Sequence, residues 1–276
     1  MKTYNHFLNE LAENKLKYAA YDWDDNILNM PTKIHLQKKE NDKFISVDIS
    51  TDEFVNYRNK ISQNPKEGEY RIYDNDIAKT YANFGDNDLF IKETKEGLDK
   101  KSYGPAFYNF INTLINGEIF AIITARSVSP LTLKKSVEII IYDYLSESQH
   151  HQMLENLMDY SDLFGTNPDS LIEHYLEKCD YYPVNSKEFI SRHEGNVDPA
   201  NPEIGKKIAL NEFSKRIEQY GLQTNRNVKL GFSDDDTVNI NAITKHFNEI
   251  NDIYNINYYV FDTSNNDKNN IIKTKI

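Results

Sequence analysis

Two hydrophobic periods divide this chain. Short apolar runs bounded by polar clusters alternate with stretches whose apolar residues recur every three or four positions. The runs predict buried strands and the spaced stretches predict amphipathic helices. Phe7, Leu8 and Leu11 predict a short helix, and Tyr18 to Trp23 a strand. After Pro105, Phe107, Phe110, Ile111 and Leu114 form a helical stripe that ends at Asn116-Gly117. Glu118 to Ile123 is the next strand and stops at Thr124-Ala125-Arg126. Pro130 opens a helix through Leu133, Val137, Ile140, Ile141 and Tyr144. Two more helical patterns follow, around Met153 and Leu157 and around Leu171 and Leu176. Asp180 to Val184 is a third strand. Asn201-Pro202, a cap and a proline at the first helical position, starts a helix that runs to Gly221. Val228 to Ser233 is a strand that stops at Asp234-Asp235-Asp236. A helix through Ile240, Ile243, Phe247 and Ile250 and a last strand from Ile256 to Phe261 complete the pattern. Strands alternating with helices predict an α/β fold: a Rossmann-like, mostly parallel sheet covered by helices on both faces.

The stretch from 29 to 102 breaks this rhythm. Ile34 and Leu36 alternate with polar neighbours, as do Ile45, Val47 and Ile49, with the polar stretch Lys38 to Lys43 between them. That pattern predicts a hairpin. Ser50 or Thr51 then caps a helix through Phe54, Tyr57 and Ile61. Residues 64–101 are polar and turn-rich. The expected organisation is a core of 1–28 and 103–263, a small α+β unit at 29–102 inserted after the first strand, and a polar, loosely docked tail at 264–276.

Composition narrows the function. The 276 residues are 39% hydrophobic and 12% aromatic, enough for a real core. A net charge of −11 argues against a surface that wraps a nucleic-acid backbone and favours a small substrate. The single cysteine, Cys179, excludes an internal disulfide and a multi-cysteine zinc site. No run of 18 apolar residues occurs, and the opening Met1-Lys2-Thr3-Tyr4-Asn5-His6 lacks a signal-peptide apolar region. A cytoplasmic protein without membrane partners is expected.

The chemistry lies where strands stop. Asp22, Asp24 and Asp25 crowd the end of the first strand, Thr124 and Arg126 the second, and Asp234 with Asp235 a later one. In a parallel sheet these ends share one edge, so residues distant in sequence converge on one crevice. Like charges so close together are costly unless a cation or a reaction uses them. Lys206 and Lys207 start a helix just before the later acidic strand. Lys206 is preferred, because it shares a face with Ala209 and Leu210 on the packed side of that helix.

Asp22-Trp23-Asp24, Thr124, Lys206 and Asp234-Asp235, in this order and at these strand ends, resemble the motifs of the haloacid dehalogenase-like (HAD) hydrolases. The resemblance spans about residues 16–262, and its phosphatase branch has an Asp at the second acidic position. It implies Asp22 as nucleophile, Asp24 as acid/base, and Thr124 and Lys206 as stabilisers of the phosphoryl group, roles that the chemistry also supports. Substrate would be bound by Thr124, Ala125, Arg126 and Lys206. Mg²⁺ would be held by Asp22, Asp24 (through its backbone carbonyl), Asp234 and Asp235. Asp25 and Asn26 depart from the family pattern, which has small residues and Thr or Val there, and Asp236 adds a further acid. The hairpin stands where these proteins carry a flap and a C1-type cap. A lid bearing Lys33, His35, Lys38, Lys39 and Lys43 could steer an anion, against the plainer reading of a surface hairpin. Arg126 reads equally as a phosphate clamp or as a salt bridge at a helix start, and His150-His151 as a solvated helix start. The implied activity is Mg²⁺-dependent hydrolysis of a phosphomonoester through an aspartyl-phosphate. A nucleotidase, a polynucleotide 3′-phosphatase, a non-catalytic binding protein on the same scaffold and, more remotely, a nucleotide-sugar transferase are the alternatives.

Overall fold

The structure, a computed structural model, describes residues 15–57, 60–158, 167–199, 201–265 and 271–276. The predicted helix at Phe7–Leu11 lies outside them. The main sheet has six strands: β1 (Lys15–Tyr21), β5 (Phe120–Thr124), β6 (Asp180–Pro183), β7 (Asn227–Asp234), β8 (Ile256–Asp262) and β9 (Ile272–Lys275). Their order is β6-β5-β1-β7-β8-β9. The first five are parallel, and β9 runs antiparallel to β8. The tail expected to be loosely docked therefore ends as an edge strand. Its residues carry little hydrophobic pattern, and all four side chains of β9 are exposed. Backbone pairing to β8 holds it, which no periodicity announces.

Helices cover both faces because buried strands present alternate residues to opposite sides. Phe120 and Ile122 face one core, and Ala121 and Ile123 the other. The first core takes α3 (Asn87–Asp99), α4 (Phe107–Ile115), α5 (Pro130–Ile139), α6 (Glu147–Met158) and α7 (Pro168–Glu177). The second takes α9 (Pro202–Thr224) and α10 (Thr237–Ile250), through Leu210, Phe213, Ile217, Ile243 and Phe247. A short helix, α8 (Lys187–Arg192), was not expected from the sequence; the Ser186 hydroxyl caps it, and six residues are too few to show a period. No helix among the described residues is long and apolar enough to cross a membrane.

A separate three-stranded antiparallel sheet, β3-β2-β4, is built from β2 (Lys33–Glu40), β3 (Lys43–Ser50) and β4 (Tyr70–Ile72). Its small core holds Ile34, Leu36, Ile49 and Tyr70, with Phe54 and Tyr57 of α1 (Thr51–Tyr57) and Tyr81 and Phe84 packed against it. The hairpin loop is far tighter than the predicted 38–43. Asn41 and Asp42 alone make the turn, both left-handed (φ 50° and 57°), as a two-residue hairpin turn requires. Ile61 lies beyond the helix and forms a bridge with Tyr70 instead. Phe90 and Leu98 of α3 pack in the main core with Trp23, so the inserted unit ends near Phe84.

Candidate functional site

The loop after β1 is fixed before any chemistry is considered. Asp22 N–H donates to the Ser233 carbonyl of β7 (2.9 Å), Ile27 N–H to Trp23 (3.0 Å) and Asp25 N–H to Leu28 (2.8 Å). Asp25 takes a left-handed conformation (φ 55°), which Asp tolerates better than most residues. Gly104 lies against this loop so closely that a Cβ there would stand 2.4 Å from the Asn26 carbonyl oxygen. Asn26 is fully buried and ties three elements together. Its Nδ2 donates to the carbonyls of Asp22 (3.0 Å) and Ser233 (3.1 Å), and its Oδ1 accepts from Ser233 Oγ (3.0 Å) and Thr263 Oγ1 (2.8 Å). Asn26→Ala would orphan several buried groups. It is expected to lower stability by about 2–4 kcal/mol, which denaturant unfolding would measure; a loss under about 1 kcal/mol would contradict this role.

Four acids then separate around two buried cations. Lys206 of α9, 1% exposed, places Nζ 2.8 Å from Asp22 Oδ1 and 2.7 Å from Asp234 Oδ2. Lys207 instead lines a surface groove with His193, Ile204 and Asn211. Asp234 Oδ1 also accepts from the Asp236 N–H (2.9 Å) and from Asn239 Nδ2 (3.2 Å). Asp236 itself caps α10, accepting from Val238 N–H (2.8 Å). Carboxylate oxygens of Asp22, Asp234 and half-buried Asp235 all lie within 4.8 Å of one another. Burial raises Asp22 well above the ordinary carboxylate range; Lys206 opposes this, and Asp234 and Asp24 reinforce it. Burial likewise raises Asp235, followed by repulsion from Asp234, Asp22 and Asp25. For Lys206 burial works against the charge, but Asp22 and Asp234 more than offset it and the pKa rises. Three carboxylates thus share one lysine. An all-oxygen, over-negative donor set of this kind suits a hard divalent cation.

The second cation is Arg126. It is fully buried and grips Asp24: Nε lies 3.1 and 3.0 Å from the two carboxylate oxygens, and Nη2 2.5 Å from Oδ1. Phe84 and Phe90 flank the guanidinium at 4.3 and 5.1 Å. Nη2 also donates to Thr32 Oγ1 (2.6 Å), while Nη1 has no hydrogen bond among the described residues. Arg126 is therefore neither a free clamp nor a salt bridge at the start of its own helix. The Thr124 hydroxyl donates to Asp24 Oδ2 (3.3 Å), and Ala125 lies partly exposed beside it. The Asp24 carboxylate stands outside the Asp22–Asp234–Asp235 trio, so only its backbone carbonyl is left as the expected metal ligand.

Three basic residues of the hairpin have acidic partners within the unit. Lys38 pairs with Glu40 (2.7 Å), Lys39 with Asp42 (3.4 Å), and His35 with Asp48 (2.7 Å). His151 pairs with Glu155 (3.3 Å) on the surface. The inserted unit reaches the site through Thr32 and Phe84, which carried no signal in the sequence. Asn239 and Asn26 were visible only as polar residues beside the acidic runs. No family model matches the chain, and neither a curated protein nor a solved structure matches it.

Proposed function

We propose that this protein is a Mg²⁺-dependent phosphatase of the HAD type that hydrolyses a small phosphomonoester, with the antiparallel unit as its cap. The observation that carries this reading is Lys206 bridging Asp22 and Asp234 while Asp24, two residues on, is held apart by a different cation. One acid is set as nucleophile and the next as proton carrier. Asp22 attacks phosphorus, and the bond to the leaving oxygen breaks as that oxygen takes a proton from Asp24. Water then attacks the aspartyl-phosphate, giving a proton to Asp24 and releasing Asp22. Lys206 and the Thr124 hydroxyl would donate to the phosphoryl oxygens as charge gathers there, and Arg126, whose Nη1 has no hydrogen bond among the described residues, would contribute through that nitrogen. Asp22, Asp234, Asp235 and the Asp24 carbonyl would hold Mg²⁺, which when bound offsets the repulsion between these acids and an anionic substrate.

A non-catalytic phosphate-binding scaffold is the second reading, favoured by one observation: both Asp24 oxygens accept hydrogen bonds from Arg126. The two are separated by assaying phenyl and p-nitrophenyl phosphates, sugar phosphates and nucleotides with Mg²⁺, and by beryllofluoride trapping on Asp22. No turnover and no trapping would sink the phosphatase reading.

The raised carboxylates give a pH test. Without metal, burial and neighbouring acids hold the Asp22 and Asp235 carboxyls above their ordinary range in the folded state. The stability gained from that shift is present in acid and lost as pH rises through the raised values. Mg²⁺ binds the ionised form. Its stabilisation is therefore expected to be small at acid pH and to reach about 2.7 kcal/mol at a hundredfold excess over Kd at neutral pH, or roughly 5–10 °C in Tm. Thermal melts with and without Mg²⁺ at both pH values check this; an equal shift at both, or none, would contradict it.

A further inference from the structure

Asp24 does not meet Arg126 alone. The Arg126 Nη2 that lies 2.5 Å from Asp24 Oδ1 also donates to Thr32 Oγ1 at 2.6 Å. That hydroxyl in turn donates to Glu93 Oε2. Thr32 and Arg126 are fully buried and Glu93 nearly so. The line Asp24–Arg126–Thr32–Glu93 thus joins the loop after β1, the turn after β5, the residue just before β2 and the core helix α3. Each link of the line has a donor and an acceptor. Thr32 has one hydroxyl hydrogen and spends it on Glu93, so its oxygen remains to accept from Arg126. The Phe84 and Phe90 rings pack against the guanidinium at 4.3 and 5.1 Å. Arg126 therefore cannot shift without losing either its aromatic flanks or the Thr32 bond, and Asp24 can take few positions while Arg126 stays.

We infer that Thr32 and Arg126 are positioning residues for Asp24, with the Thr32 hydroxyl fixing the guanidinium that aims the carboxyl at the leaving oxygen. The inference rests on Asp24 being the acid/base of the proposed phosphatase. A misplacement of about 1 Å is enough to cost a large part of such a group's contribution. It also means that the inserted unit touches the chemistry just before β2, through the Thr32 hydroxyl rather than through the lysines of its hairpin.

A proton donor matters most when the leaving group is poor. Phenolate needs the proton far more than p-nitrophenolate, so kcat/KM for phenyl and p-nitrophenyl phosphate reports on Asp24 directly. Thr32→Val keeps the side-chain shape and removes the hydroxyl. It is expected to lower kcat/KM for phenyl phosphate about tenfold more than for p-nitrophenyl phosphate. Thr32→Ser is expected to restore the wild-type ratio. Arg126→Lys keeps a cation but cannot span Asp24 and Thr32 together, and should distort the ratio in the same direction; it carries the test alone if Thr32→Val does not fold. Asp24→Asn sets the upper limit of the effect. A merely structural role would lower both substrates equally, and that result, or an unchanged Thr32→Val, overturns the inference with the phosphatase intact. A wild-type protein that turns over neither ester and traps no beryllofluoride overturns both together.

Discussion

Asp22→Asn is expected to abolish turnover while leaving the fold as stable as before, or more so. If Asp22 is the nucleophile, the amide oxygen cannot form the phosphoenzyme, and activity should fall by about 10⁵-fold or more, into background. Stability should move the other way. Asp22 is 6% exposed, crowded by Asp234 and Asp235, and raised by its burial. At neutral pH an unfolded Asp ionises freely, near pH 3.9 by the usual reference of about that value, whereas the folded one resists. The folded state is penalised for that charge above the unfolded pKa, and Asn carries no such charge. Part of the relief is lost with the charge-assisted bond from Lys206 at 2.8 Å. The metal-free variant is therefore expected to melt at or above the wild-type temperature at neutral pH and to gain less from Mg²⁺. Calorimetry and a phosphatase assay on one preparation test both halves. An active Asn variant would end the nucleophile assignment. An inactive variant that melts well below wild type would mean Asp22 holds the fold rather than the reaction.

The distinction between strand ends and their surroundings explains what the sequence could reveal. Asp22, Thr124 and Asp234 stand at the ends of apolar runs, and the parallel sheet brings such ends to one edge by topology alone. Lys206 could be chosen over Lys207 because helical spacing fixes which of two neighbours faces the core. The five parallel strands of the main sheet were legible for the same reason, since β1, β5, β6, β7 and β8 are apolar runs. The remaining features depend on partners far away in the chain. Arg126 is 102 residues from Asp24, and its ring partners Phe84 and Phe90 come from the inserted unit's edge and from α3. No local pattern distinguishes a phosphate-binding arginine from one that holds a carboxylate. Residues 64–86 were unreadable because their elements are short: a three-residue strand, a four-residue helix (α2, Ile77–Thr80) and single turns, held by contacts such as Gln37 with Asp74 and Arg71, whereas the longer α3 escaped because its buried face sets Glu93, Thr94 and Gly97 beside Phe90 and Leu98 and so shows little apolar period. The edge strand β9 escaped for a related reason: backbone pairing to β8 and Lys273 over the Tyr259 and Phe261 rings hold it, and neither leaves an apolar period. Asp236 looked like an extra site acid but is a helix cap. Short polar side chains bond locally as readily as they bind ligands.

Lys206→Met should be the most destabilising single change at this site. Met matches the lysine stem in length and leaves no large cavity, so packing is nearly preserved. The ammonium, however, is the cation that lies between Asp22 (2.8 Å) and Asp234 (2.7 Å), and all three groups are almost completely buried. Removing one partner of a buried ion pair leaves an uncompensated charge and costs about 3–5 kcal/mol; here two carboxylates are left. The loss has a definite pH dependence. Without Lys206 the folded state favours protonated Asp22 even more strongly, so the variant recovers part of its stability in acid and loses it again as pH rises toward neutrality. Mg²⁺ is expected to restore part of the loss, because it supplies positive charge to the same acids. Under the proposed mechanism activity falls as well, by about 10²–10³-fold, the usual cost of removing one preorganised stabilising group. Lys207→Met, one residue along and facing the surface groove with His193 and Asn211, is the control and should behave as wild type. Urea unfolding of the two variants at pH 5.5 and 7.5 separates the outcomes. Equal stabilities would mean that Lys206 is not the group neutralising the acidic trio. A Lys206→Met deficit that does not change with pH would mean that its loss is one of packing and not of charge.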